Sequence, residues 1–416
     1  MKHKLTLITA AIGVIGVLSA CAVTDRIKRL HYASSLFSGK EQYENFARIP
    51  QIFPVSTVNA SPSTQSWQIG GSFSLPAQFS HRGETATVER FLQETDTAGL
   101  LIIHDGKIHY ENYWLTGGLT VQWPSWSVAK SYVSALIGIA IDDGLIGSVK
   151  DPISNYLPEL KETGYDGVSI EDILEMSSGA RWNEDYSDFK SDINRLGRII
   201  ALGGSLDKFV TTIGPDIQPG TYNRYNSADT QVLGRLLVKV SGQTLSEYMQ
   251  AKIWAPLEAE DNGYWLIDNK GMEMAFAGFH ATARDYARLG ELYRNFGHYN
   301  GHQIIPEQWV VDSTHSTKPH LQSGENPASN NDFGYGYQWW LLDGHEGEYT
   351  AMGVYNQFIY VNPTRDIVIV KLSANSEFGV RDDQSSYRDQ ETISLLRALS
   401  ASFPRSAKSM ALETLE

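Results

Sequence analysis

The period of the apolar positions changes along this chain, and those changes divide it. Residues 5–20 form one mostly apolar stretch behind Lys2-His3-Lys4. At 99–114 two β-rich runs flank Asp105-Gly106, a dipeptide that strongly favours a tight hairpin, so a strand pair is predicted. From Ser127 to Gly144 the residues Val128, Tyr132, Ala135, Leu136, Ile139 and Ile141 recur at near-helical spacing, with Gly144 as a stop. The stretch Ser169–Met176 predicts a short helix, and roughly 180–330 is mostly helical in pattern, for instance Asp229–Val240 and Thr282–Phe296. From Phe333 the runs YGYQWWLL, NQFIYV and DIVIVKLS are short and β-like, and Glu391–Phe403 places Ile393, Leu395, Leu396 and Leu399 on a helical face. Strands at both ends with helices between them predict an α+β fold whose first and last segments share one antiparallel sheet. No repeat of 20–50 residues is visible.

Composition narrows the classes. With 416 residues, 42% of them apolar, and 36 Gly against 15 Pro, the chain can bury a large core in two or three lobes. A net charge of −14 argues against a nucleic-acid partner, which needs clustered Lys and Arg. One cysteine excludes an internal disulfide framework and a multi-thiolate zinc site.

That cysteine has a telling position. Residues 1–20 read as a secretory signal, short for a spanning helix of about 20 apolar residues. Leu18-Ser19-Ala20-Cys21 resembles a bacterial lipoprotein signal, with Cys21 as the lipidation point; a plain signal peptide or an N-terminal anchor helix is the alternative. A cut before Cys21 removes Lys2 and Lys4 and takes the charge from −14 to −16. The expectation is a membrane lipoprotein of the bacterial cell envelope, facing the periplasm or lying on the cell surface. Residues 21–60 read as tether and irregular leading segment. A folded domain is expected over 61–405, with its α/β part at about 85–125 and 333–403 and a helical lobe at about 127–330. Residues 406–416 read as a loose tail.

For chemistry, G-x-S-x-G is absent, which counts against an α/β-hydrolase elbow. S-x-x-K occurs at Ser127/Lys130, Ser187/Lys190 and Ser205/Lys208. Residues i and i+3 share a helix face, so an amine can sit beside the hydroxyl. A serine in the first turn also gains unpaired backbone N–H groups and the positive dipole end, which favour a developing oxyanion. Only Ser127 follows a Pro-containing lead, Trp123-Pro124-Ser125-Trp126, and precedes a long apolar helix. The other two pairs lie in short polar stretches, where a solvated lysine is the better reading. For Ser127 the competing reading is a helix-capping serine followed by a surface lysine. His298-Tyr-Asn-Gly-His302 has a metal-like spacing but lies in a Gly/Asn-rich turn with no carboxylate partners, so it reads as a surface loop. His280 reads as a loop or helix-start residue.

The blocks WSVAKSYVSALIGIAIDDGLI, DPISNYLPEL, SIEDILEMSSGARW, PGTYNRYNSADTQVLG, AGFHATARDYARLGELY and AMGVYNQFIYVNPTRDIVIV resemble, in order over roughly residues 90–400, the serine β-lactamase-related hydrolases. That superfamily includes class C β-lactamases, D-alanyl-D-alanine carboxypeptidases, carboxylesterases and 6-aminohexanoate-dimer hydrolase. The resemblance implies a β-lactamase/transpeptidase-like fold, an antiparallel sheet flanked by helices with a mainly helical lobe. It also implies Ser127 as acyl-accepting nucleophile and Lys130 as its partner, with no metal or organic cofactor. Tyr225 of Tyr225-Asn226-Ser227 would relay protons, as a phenolate favoured by the Lys130 ammonium. Ser227 stands where the family's Tyr-x-Asn has Asn, and would bond the lysine or the substrate. The family's Lys-Thr-Gly is missing; its counterpart is Ala351-Met352-Gly353-Val354, where Gly353 would permit close approach and the N–H groups of Ser127 and Val354 would form the oxyanion hole. Trp182, Tyr186, Trp339 and Trp340 are candidates for the pocket wall. The loss of Lys-Thr-Gly favours ester or amide substrates over a β-lactam or a D-alanyl peptide. Penicillin recognition and a catalytically idle binding protein are the alternatives.

Overall fold

The computed structural model describes residues 36–37, 42–380 and 385–406; Cys21, the apolar leader and residues 407–416 lie outside them. Eight strands form the main sheet: β1 (Gln68–Ile69), β2 (Thr97–His104), β3 (Lys107–Tyr113), β4 (Gly334–Tyr335), β5 (Trp340–Leu341), β6 (Tyr349–Gly353), β7 (Gln357–Asn362) and β8 (Ile367–Ser373). Their spatial order is β4-β5-β6-β7-β8-β2-β3-β1. The last long strand, β8, therefore pairs antiparallel with the first, β2, placing Val370 opposite Leu101. Only the edge strand β1 is parallel to its neighbour. The β2–β3 turn is Asp105-Gly106, with φ of 49° and 70°, the left-handed pair that matches strand twist in a two-residue hairpin.

The central strands β2, β7 and β8 are apolar almost throughout because both faces are covered. Leu101, Ile103, Ile359, Val361, Val368 and Val370 belong to the larger core, with Tyr286, Leu289 and Leu292. Their alternates Leu100, Ile102, Phe358, Tyr360, Ile367 and Ile369 pack with Phe91, Ile393, Leu395, Leu396 and Leu399. Each fully buried side chain of this kind contributes roughly 1.5–3 kcal/mol.

The principal helices are α1 (Ala129–Asp142), α2 (Ile170–Leu174), α3 (Asp192–Leu202), α4 (Ser227–Ser241), α5 (Ala283–Arg294) and α6 (Asp389–Ala401). Every residue of α1 from Ala129 to Ala140 is buried, which is why its sequence there, Lys130, Ser131 and Ser134 apart, is apolar all round. Side-chain caps set the starts of α2 to α5. Ser169 accepts from Asp172 N before α2, Asn226 from Ala228 N before α4, and Thr282 from Asp285 N before α5.

Two features depart from the pattern-based expectation. The lobe expected to be helical also holds a small antiparallel sheet, in which Val55–Val58, Gly263–Leu266, Phe279–Ala281 and Trp123–Pro124 lie side by side. Residues 42–58, expected to be an irregular lead, are folded: two short helical turns and one strand bury Phe46, Ile49, Phe53 and Val58. Strands of two to four residues are too short for periodicity to expose.

Candidate active site

Ser127 lies in a 3-10 turn, Trp126–Val128, that runs directly into α1. Trp126 before it adopts φ 44°, a costly conformation for a bulky side chain. Aromatic packing holds it there, with Phe46 at 5.3 Å and Tyr355 at 5.7 Å between ring centroids. Lys130, one turn along, is only 1% exposed, and its Nζ lies 3.0 Å from Ser127 Oγ while donating to Phe276 O at 2.8 Å. A buried ammonium loses its hydration, and burial pushes Lys130 down to about 7, against the opposing field of Glu184.

Tyr225 precedes α4. Its ring stacks on Trp340 at 5.2 Å, and Lys130 Nζ stands 5.0 Å from the ring centre. Burial first, then Glu184, pushes its phenol up, with a hydrogen bond from Ser127 working the other way. Burial thus favours an amine at Lys130 and a phenol at Tyr225, where the sequence led to the expectation of an ammonium beside a phenolate. The segment carrying Tyr225 is anchored behind it, where Asn226 Nδ2, Tyr165 OH and Ser178 Oγ all donate to the buried Asp229 Oδ1.

Strand β6 ends beside the nucleophile. A Cβ added to Gly353 would stand 2.5 Å from Ser125 O and 3.1 Å from Ser127 N, so only glycine lets the strand come this close. Val354 follows at the cleft wall. The Ser127 N–H opens a helical segment, where backbone donors lack intrahelical acceptors.

The cleft over Ser127 has a volume of about 1040 Å³ and is lined by Trp182, Tyr186, Tyr225, Trp340, Gly353 and Val354, among others. Trp339 is not part of it: it is fully buried and packs 4.4 Å from the ring of Tyr293. Ser227 also differs from expectation. Its Oγ donates to Glu184 Oε1 at 2.7 Å and its N–H to Oε2 at 3.1 Å, so its hydroxyl is engaged by a carboxylate and not by the lysine. Glu184 lines the same cleft and escaped the sequence reading. The available signal was its place inside Trp182-Asn-Glu-Asp-Tyr186, between the two aromatic residues that were singled out.

The other motifs settle into ordinary roles. Ser187 is exposed and bonds Asp185, and Ser205 caps a short helix by accepting from Lys208 N. His298 and His302 sit on an exposed hairpin. His280 lies in the small sheet, bonded to Gly278 O, and burial pushes its ring down to about 4. Among the described residues the carboxylates clustered closely enough to share an ion are Glu171, Asp172 and Glu175. Lys318 already pairs with Glu171 at 2.8 Å and Glu175 at 2.7 Å.

Known proteins resemble this chain in sequence and in fold. The chain is 28% identical over 338 residues to the 6-aminohexanoate-dimer hydrolase of Paenarthrobacter ureafaciens, covering 79% of this chain and 84% of that one. It is 25% identical over 206 residues to a β-lactamase of Escherichia coli strain K12, covering 47% and 50%. A solved Bacillus anthracis structure named after 6-aminohexanoate-dimer hydrolase superposes with a TM-score of 0.77 at 21% identity, covering 89% of this chain and 97% of that one. EstCE1, a hydrolase with promiscuous acyltransferase activity, gives 0.58 at 18% identity, covering 75% and 96%. The family model described as Beta-lactamase matches residues 85–392, and with that span the chain belongs to the β-lactamase family, as a serine hydrolase with the β-lactamase/transpeptidase-like fold.

Proposed function

We propose that the chain hydrolyses carboxylic esters or linear amides through an acyl-enzyme on Ser127. The observation that carries this is the 3.0 Å contact between Ser127 Oγ and a buried Lys130 Nζ, a burial that pushes the lysine down to about 7. The neutral amine takes the hydroxyl proton as Oγ attacks the carbonyl carbon. The tetrahedral oxyanion is met by the backbone N–H groups of Ser127 and Val354. Tyr225, whose phenol burial favours in its protonated form, passes a proton to the departing alkoxide or amine, and water then attacks the ester by the same path in reverse. Aromatic walls at Trp182, Tyr186 and Trp340 suit an acyl chain or an extended amide. Ala351-Met352 brings no cation or hydroxyl to the strand, so a substrate carboxylate has no partner there; this supports esters and amides over penicillins. The name of the Paenarthrobacter ureafaciens relative supports an amide. We also propose lipid attachment at Cys21 and an envelope location, resting on the residues around that cysteine; mass analysis of the mature membrane-extracted protein, with and without Cys21→Ser, tests this.

The catalytic reading is tested by intact-mass measurement after exposure to a fluorophosphonate, with p-nitrophenyl acetate, a linear amide and a chromogenic cephalosporin assayed in parallel. One adduct on the unmutated protein and none on Ser127→Ala is expected, with ester or amide turnover exceeding cephalosporin turnover. Absence of any adduct would remove the enzyme reading, and rapid cephalosporin turnover would replace it with penicillin recognition.

A further inference from the structure

Glu184 has no part in the acyl-transfer steps, yet it touches the groups around them. Four donors meet it, and they divide by oxygen. The hydroxyls of Ser227 and Tyr186 donate to Oε1, each at 2.7 Å. The backbone N–H of Ser227, at 3.1 Å, and the indole N–H of Trp182 donate to Oε2. A carboxylate offers about four lone-pair sites, and these donors fill them. A cationic group on a substrate could bind Glu184 only by breaking one of those bonds. The arrangement therefore favours a role exerted through neighbours. The partners come from two elements: Trp182 and Tyr186 stand on the loop that walls the cleft, and Ser227 opens α4, the 15-residue helix immediately after Tyr225. The carboxylate also sits at the positive end of that helix, where an anion is stabilised.

We infer that Glu184 is a positioning residue of this hydrolase: it fixes the Trp182–Tyr186 wall against the helix that follows Tyr225, and its charge sets the electrostatic potential at Lys130 and Tyr225. This rests on the serine-hydrolase reading given above. The charge is felt at Lys130, Tyr186, Tyr225, Asp229, Tyr335 and Tyr387. Among the described residues Glu184 is the charged group whose field opposes the burial-driven fall at Lys130. With that charge gone, the lysine would lose its proton at lower pH.

The split of donors makes a clean test available. In Glu184→Gln the amide oxygen can take the place of Oε2 and accept both N–H groups. The NH₂ can take the place of Oε1 and donate to the two hydroxyls, which rotate to accept. The contacts survive and the charge does not. Glu184→Asp keeps the charge and withdraws it by one methylene. The readout is the rate of fluorophosphonate labelling of Ser127 from pH 5 to 9 by intact mass, alongside thermal melting. For E184Q the expected result is near-parental melting, with the acidic limb of the labelling profile moved to lower pH by on the order of one unit. For E184D the expected result is an unmoved limb with slower labelling. A labelled E184Q protein whose limb superimposes on the parental one overturns the inference, as does an E184D limb displaced as far as that of E184Q. If E184Q does not fold, E184D decides: slower labelling with an unmoved limb supports the inference, and labelling at the parental rate overturns it. If the unmutated protein is not labelled at all, the hydrolase reading fails first and this role falls with it.

Discussion

At Lys130 an ammonium has been taken out of water and given one carbonyl, Phe276 O, and one hydroxyl, Ser127 Oγ. The free energy of that burial reappears as reactivity. Its folded pKa, about 7, lies below the ordinary 10.5, so between those values the unfolded chain holds the extra proton. The destabilising contribution of Lys130 is therefore complete below pH 7 and fades as pH rises from about 7 toward 10.5. Activity carries the same signature. The logarithm of kcat/KM for an ester is expected to rise with unit slope up to about pH 7 and then level off, which a pH–rate profile checks. Lys130→Met keeps the length and removes the charge. It is expected to raise stability at pH 7 by about 2 kcal/mol, the desolvation relieved less the hydrogen bonds lost, while lowering kcat/KM by about 10³-fold or more. Thermal melts and ester kinetics on one preparation measure both. At this scale Ser127 and Lys130 were legible, since spacing and a following apolar helix separate them from the other two S-x-x-K pairs. Glu184 was not: its place between Trp182 and Tyr186 is a local signal, but what it bonds, Ser227 above all, lies 43 residues away and meets it only in the fold.

Among the elements, β6 and the 3-10 turn before α1 approach each other more closely than any side chain allows. At Gly353 a methyl group would press on Ser125 O and Ser127 N. Gly353→Ala should therefore push the strand from the nucleophile and lower kcat by about 10²–10³-fold, the usual cost of a lost oxyanion donor, while the melting temperature falls only modestly. Steady-state kinetics beside a melt separate the two effects, and an alanine variant with parental kcat would remove Val354 N–H from the oxyanion hole. The helix starts were readable wherever a capping side chain marks them, at Thr282 and Ser169, and the β2–β3 hairpin through Asp105-Gly106. The small sheet was not. Its four strands are two to four residues long and come from distant parts of the chain, and their pairing exists only once Val55–Val58 meets Gly263–Leu266.

For the whole molecule, the lead from Gln42 to Val58 is part of the core, and a chain begun at residue 60 would lose Phe46, Ile49, Phe53 and Val58 from it. At roughly 1.5–3 kcal/mol for each buried side chain, that loss approaches the 5–15 kcal/mol stability of a typical domain. The shortened chain is expected to lose its cooperative melt, and a parental transition would show the lead to be dispensable. Phe46 also packs on Trp126, so the lead supports the backbone that presents Ser127. By itself the sequence determined what rests on neighbours within a few residues, namely the central helix, the hairpin and the serine-lysine pair, while the order of strand-like and helical runs placed the first and last segments in one sheet. It did so because periodicity, turn chemistry and i,i+3 spacing are local. The tertiary structure alone decided what surrounds the serine-lysine pair: the burial that lowers the lysine and raises the tyrosine, Ser227 turned to Glu184, and Trp339 in the core instead of the cleft. Burial and through-space charge depend on residues that are distant in sequence and meet only in the fold.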